Sequence, residues 1–231
     1  MAPGTIQKTI SLFRDAFDGL CVDISLLHLE ALGIMVHEAM TVQARSFHTP
    51  EHIFSLADAT NPIQALAALF HDVVYYEIDQ GFIPEIEHVL MPYIDEVEGH
   101  LQLAAIPPGT DQLFDVVLEV FDFKAGQRLS PTGGQNEFLS TLLMVQKLKD
   151  TVEPRDLVKI VACIEATIPF RGPNAQGESP PMVLERRLHQ VNSHHDLRLT
   201  DDEIRQAVKW AVAFSNRDVA NFSERDTGRF L

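Results

Sequence analysis

In the run ALAALFHDVVYY, residues 65–76, an imidazole and a carboxylate stand side by side, His71 and Asp72, inside an otherwise apolar stretch. An unpaired buried carboxylate is costly, and protonation, a salt partner or a metal ion relieves that cost. The neighbouring imidazole favours the last of these, because nitrogen and oxygen donors together suit a divalent transition metal. Upstream, RSFHTPEHIF carries His48 and His52 four residues apart. With Thr49 as a helix cap, His52 projects from the first turn and His48 stands just outside, so the two need not share one role. Downstream, VKWAVAFSNRDVANF carries Asp218 within a second apolar helix, where an ion pair with Arg217 is the alternative account of the carboxylate. Two imidazoles and two carboxylates from three separate helices can hold one divalent ion and leave positions open for water.

The elements that must position these groups are helical. Apolar residues recur at helical spacing along nearly the whole chain, and alternating strand-like runs are scarce, which predicts an all-α fold in a single domain. The spacing predicts helices over about 5–19, 23–43, 49–59, 62–78, 84–103, 110–123, 135–149, 153–168, 180–196 and 200–222. Asn61-Pro62 and Thr49-Pro50 read as a cap followed by proline at the first helical position, and Thr200–Glu203 as a capping box. Helix 62–78 is apolar around most of its circumference and should be central. Two Gly/Pro-rich segments with basic residues, 124–134 and 171–181, read as loops that could border a site or simply be solvated connections. Residues 226–231 look like the start of a further helix, so that the natural chain would continue beyond Leu231.

The totals narrow the function. The chain has 231 residues, 45% hydrophobic and 22% charged, enough for a sizeable core. A formal charge of -15 at pH 7 opposes any broad basic face for nucleic acid or an anionic membrane. Cys21 and Cys163 are too few for a disulfide framework and read as reduced core residues. No apolar run approaches the ~18–20 residues of a membrane span, and the N-terminus has no signal-peptide pattern, so a cytoplasmic protein is expected.

The order H…HD…D, with RSFHTPEHI followed by AALFHDVVYY, resembles the HD-domain superfamily of metal-dependent phosphohydrolases. It is similar in particular to bacterial predicted HD phosphohydrolases with R-x-Y-H-x-x-x-H-I, then F-H-D-x-x-Y, then N-E-x-x-S, the last present here as Asn136-Glu137-Phe138-Leu139-Ser140. The first two motifs and NRDVAN also resemble the catalytic core of cyclic-nucleotide phosphodiesterases. The likeness covers about 45–222 and implies an all-helical HD bundle, with about 78–134 as a lid or insert longer than in the small bacterial relatives. It implies that His52, His71, Asp72 and Asp218 are the metal ligands and that Asp72 thereby takes part in catalysis. It makes His48 the proton donor to the leaving oxygen, and lets Asn136, Glu137 and Asn221 line the site, with Glu137 positioning a water. A helix cap followed by a first-turn acid is the alternative account of Asn136 and Glu137. Phe47 departs from the family's tyrosine, and Glu165–Arg171 replaces a segment that often holds threonine followed by histidine.

A divalent ion lowers the pKa of bound water toward ~7 and polarises a phosphoryl oxygen. The expected activity is therefore hydrolysis of a phosphomonoester or phosphodiester, a nucleotide among the candidates, with manganese the first choice of metal and iron, nickel, cobalt, zinc and magnesium as alternatives. Two carboxylates cancel the ion's charge, so additional cations are called for, and Arg45, Lys124, Arg128 and Arg171 are those that motif and loop positions offer. Two rivals remain. A di-iron oxygenase on the same scaffold would need further histidines among His88, His100, His189, His194 and His195, and a non-catalytic module would bind a nucleotide or partner without turnover. A homodimer is compatible with the size of the domain but no heptad seam points to one.

Overall fold

The structure, a computed structural model, describes residues 4–45, 48–58 and 60–220. Among them are eleven helices and one short hairpin: α1 (Thr5–Gly19), α2 (Leu26–Met40), α3 (Pro50–Leu56), α4 (Pro62–Phe70), α5 (Tyr76–Asp79), α6 (Pro84–Leu90), β1 (Ile94–Val97), β2 (His100–Leu103), α7 (Gln112–Phe121), α8 (Gln135–Leu148), α9 (Pro154–Glu165), α10 (Pro180–His194) and α11 (Asp201–Ala220). The fold is thus mostly α, as the apolar spacing predicts. Among the described residues no helix is long and apolar enough to cross a membrane.

At the centre lies α4, with every residue from Ile63 to Phe70 buried. Its start follows local chemistry: the Asn61 side chain accepts from the Gln64 N–H at 3.2 Å, and Pro62 occupies the first turn, where its missing N–H costs nothing. Thr49 before α3 makes no such side-chain bond, although Pro50 does open that helix. Around α4 pack α1, α9, α3, α8 and α11. The buried apolar side chains form one continuous core, to which Ile86, Leu101 and Phe114 from the 78–134 segment also belong.

Two expected helices are interrupted. Helix 62–78 stops at Phe70, and His71 is its C-cap, so the His-Asp pair sits at the end of the central helix and not in its middle. The 84–103 helix is replaced by α6 followed by the antiparallel hairpin, Val97 pairing with His100. Its two turn residues, Glu98 and Gly99, both have positive φ, 52° and 75°. Such a turn matches the natural twist of paired strands and is incompatible with a continuing helix. Leu129 donates its N–H to the Leu101 carbonyl and Leu103 donates to Gln127, so part of the predicted 124–134 loop borders β2. Cys163 is buried as expected, whereas Cys21 is exposed in the turn after α1. Phe47, Asn221 and the 226–231 segment lie outside the described residues.

Candidate metal centre

Three distant parts of the chain meet at the C-terminal end of α4. His52 comes from the first turn of α3, His71 and Asp72 from the end of α4, and Asp218 from the last turn of α11. One donor atom each from His52, His71 and Asp218 lies within 4.8 Å of the others, and among the described residues this is the one such His/Cys/Asp/Glu group. His52 Nε2 is 3.2 Å from His71 Nε2 and 3.2 Å from Asp218 Oδ1. Asp72 Oδ2 stands beside them, 2.8 Å from His71 Nε2 and 3.5 Å from His52 Nε2.

The donor set fits a cation. His71 Nδ1 lies 3.0 Å from the Ala68 carbonyl, which can only accept, so the ring proton belongs on Nδ1 and the Nε2 lone pair faces the cluster. A backbone carbonyl fixing the tautomer in this way is a common outer support of metal-bound histidine. Without a cation, protons fill its place. Burial pulls the His52 imidazole down, but hydrogen bonds with Asp218 and Asp72 outweigh it and hold its pKa at about 9. Burial likewise opposes charge on His71, yet the Asp72 carboxylate raises its pKa. Burial would raise Asp72, but the charges of His71 and His48 and the imidazole hydrogen bonds hold it well below the usual carboxylate range. Two imidazoles and the Asp218 carboxylate, all buried and within 4.8 Å of one another, can hold a metal ion, and Asp72 stands beside this group.

His48 sits at the rim, its Nε2 3.6 Å from Asp72 Oδ2. Its ring stacks on Tyr75 with centroids 4.5 Å apart, and the Arg45 guanidinium lies 5.9 Å from the centre of the Tyr75 ring. Desolvation lowers the His48 pKa, against the pull of Asp72. Glu137 enters from the first turn of α8. Burial, reinforced by the charges of Asp72 and Asp218, pushes its carboxyl up to about 7. That helix starts from Gly134, whose backbone is left-handed and so close to Ile168 that a Cβ would lie 2.6 Å from its Cδ1.

Several other expected site residues have structural work. The buried Arg45 side chain donates Nε to Asp79 Oδ1 at 2.8 Å, Nη1 to the Asp72 carbonyl at 2.6 Å and Nη2 to the Val73 carbonyl at 3.0 Å, with a second contact to Asp79 Oδ2. Asn136 is not the cap of α8, a place held by Gly134; its Oδ1 accepts from the Tyr76 N–H that opens α5, at 3.2 Å. Ser140 Oγ accepts from the Val74 N–H at 3.0 Å. These three side chains take over the backbone groups that a continuing α4 would have paired, which is why the chain can turn away after His71. Arg171 is ion-paired to the buried Glu165. Lys124 and Arg128 are exposed, and neither touches the His-Asp cluster. His194 and His195 grip Glu119 at 2.9 and 3.0 Å, away from the cluster.

Sequence reading missed Asp79, the partner of Arg45, because no spacing rule links a buried arginine to an acid 34 residues later. The contact of Tyr75 with His48 was equally out of reach, since Tyr75 is known there only as part of a motif. Comparison of the chain with protein-family models, with curated proteins and with solved structures finds no match, and the centre is characterised by its own geometry.

Proposed function

We propose that the protein is a metal-dependent phosphohydrolase of the HD-domain type, acting on a phosphomonoester or phosphodiester. The observation that carries this reading is the convergence of His52, His71 and Asp218 from α3, α4 and α11 within 4.8 Å, with Asp72 in contact with both imidazoles. In this reading those four side chains hold the ion, and the mixed nitrogen and oxygen donors suit manganese or another divalent first-row metal. When bound, such an ion supplies hydroxide from water at neutral pH and polarises a phosphoryl oxygen.

The chain's own groups provide the rest. Glu137, with a carboxyl pKa of about 7, can take or return a proton at neutral pH, and a neighbouring cation draws it toward the ionised, accepting form. Delivery of a proton from His48 to a leaving oxygen requires that the ring be charged, a state that Asp72 at 3.6 Å favours and burial opposes. Tyr75 fixes the plane of that ring by stacking. Arg45 and Arg171 are committed to Asp79 and Glu165. Little positive charge beyond the ion is then left for the substrate, which favours a single phosphate group, mono- or diesterified, over a triphosphate.

The test is a panel of phosphomonoesters and phosphodiesters assayed with added manganese, with metal content per chain counted in parallel. Wild type should turn over at least one class, and Asp72→Ala and Asp218→Ala should lose both turnover and bound metal. A wild-type protein that binds one ion and hydrolyses nothing on the panel would reduce the centre to a binding site.

A further inference from the structure

On the adjoining face of α11 lies a separate cavity of about 230 Å³, which shares no lining residue with the His-Asp cluster. Ile168, Pro180, Leu184, Val212 and Val219 make its wall largely apolar. Ser215 and Asn216 supply polar points from α11, and Arg171 and Glu165 line one side. The volume is below the ~300–1,000 Å³ of drug-sized sites, so its occupant is small.

A cluster of paired charges stands beside it. Two guanidinium groups share one buried carboxylate: Arg171 donates Nη1 to Glu165 Oε1, and Nη2 to Glu165 Oε2 at 3.2 Å and to the Glu165 carbonyl at 2.6 Å. Arg187 donates Nη1 to the same Oε1 at 3.2 Å and to the Val120 carbonyl at 3.2 Å. Arg187 is also paired at 3.0 Å to the exposed Asp122, so two carboxylates match the two guanidinium groups, and what sets the site apart is a donor left without a partner. The Arg171 Nε–H is buried and has no acceptor among the described residues. Such a donor calls for a partner, and a charged donor prefers an anionic one. At the mouth, Phe170 is fully exposed on a left-handed backbone, φ 59°, an arrangement that packing does not explain and that clusters at ligand sites.

We propose that this cavity binds a small organic anion, an apolar body of about one ring in size carrying a single anionic headgroup that accepts from Arg171. The wall takes the body, the unpartnered Nε–H of Arg171 takes the headgroup, and Phe170 stacks over the open side. The inference is independent of the metal reading, since it needs no ion and uses none of the cluster's residues.

The test is a titration of the full chain, with EDTA present, by benzoate, phenyl phosphate, benzyl alcohol and acetate, following the Nε–H resonance of Arg171 by NMR and, for every variant, the heat of binding by calorimetry. Benzoate or phenyl phosphate should saturate and shift that resonance. The better of the two should bind about tenfold tighter than benzyl alcohol, the margin of one charge-assisted hydrogen bond, and tighter than acetate, which has no body. The two aromatic anions together tell a carboxylate from a phosphate headgroup. Arg171→Gln should remove the preference for the anion, and Asn216→Trp, which fills the cavity from its exposed side and leaves the ion pairs intact, should abolish binding. Equal binding of benzyl alcohol and both anions, no saturation by any probe, or anion binding that survives Asn216→Trp would overturn the proposal.

Discussion

The Nε2 atoms of His52 and His71 face each other at 3.2 Å. With the His71 ring proton held on Nδ1 by the Ala68 carbonyl, its Nε2 offers a lone pair toward the other ring. Two lone pairs so directed repel unless a proton or a cation lies between them. The carboxylates of Asp218 and Asp72, 3.2 and 3.5 Å from His52 Nε2, attract either one. The pair is therefore built to hold a proton or a cation between its nitrogens, and which of the two it holds decides what the centre can do.

Removal of Asp218 tests that relationship directly. Asp218→Ala deletes the one donor that α11 contributes and leaves two imidazoles and Asp72. Its loss should weaken binding of a divalent ion by more than the ~10–100-fold typical of outer-shell changes. Isothermal titration with manganese and with zinc measures it. Unchanged affinity for both would mean that the ion sits elsewhere.

Arg45 is predicted to be a structural residue and not a phosphate ligand. It joins Asp79 to the Asp72 and Val73 carbonyls while almost wholly buried. Arg45→Met strips the charge from Asp79 and the donors from two carbonyls. It should cost about 3–5 kcal/mol of stability, as breaking one side of a buried ion pair does. Arg45→Met with Asp79→Leu should recover part of this, because no lone buried charge then remains. Urea denaturation of the three proteins gives the comparison, and a fully stable Arg45→Met would refute the assignment.

The parts of this molecule that were legible in the sequence are those set by local spacing. The apolar period of α4, its Asn61-Pro62 start and the Thr200–Glu203 box all form as their chemistry dictates, with reciprocal bonds between Thr200 Oγ1 and the Glu203 N–H and between Glu203 Oε2 and the Thr200 N–H. His71 and Asp218 were legible for a related reason, since each puts a polar group where the surrounding pattern is apolar, whereas His52 stands among polar residues at a helix start and was legible only through their company and the family motif. What escaped is set by distant partners. Nothing near Phe70 ends α4; Arg45, Asn136 and Ser140 do, from residues up to 66 positions away. The hairpin escaped because Ile94, Val97 and Leu101 fit a helical stripe as well as a strand. Only the left-handed turn at Glu98-Gly99 tells the two apart.

That turn can be tested alone. Gly99 has φ 75°, and no atom lies within 4 Å of where its Cβ would be, so a substitution there meets backbone strain without a clash. Gly99→Val should destabilise by about 1–2 kcal/mol, the cost of a left-handed conformation for an L-residue, while Gly99→Asn should cost less. Denaturant midpoints of the two variants separate these outcomes. Equal midpoints would show that the turn has relaxed into another conformation.

The start of α11 should contribute to the acid limb of stability. Glu203 accepts from the Thr200 N–H and Oγ1–H at 3.0 Å each and is ion-paired to Arg155, and these bonds hold its pKa at about 2, below the ordinary 4.5. A carboxyl depressed in the folded state contributes stability that is fully present above its unfolded value. That contribution is lost as pH falls from about 4.5 through about 2. Glu203→Gln keeps the helix-start acceptor but not the charge, so it should lower stability at pH 7 modestly and flatten the decline across that window. Thermal midpoints of wild type and variant, taken at intervals from pH 7 to pH 2, should converge at the acid end. Parallel curves would show that the charge on Glu203 adds nothing to its hydrogen bonds.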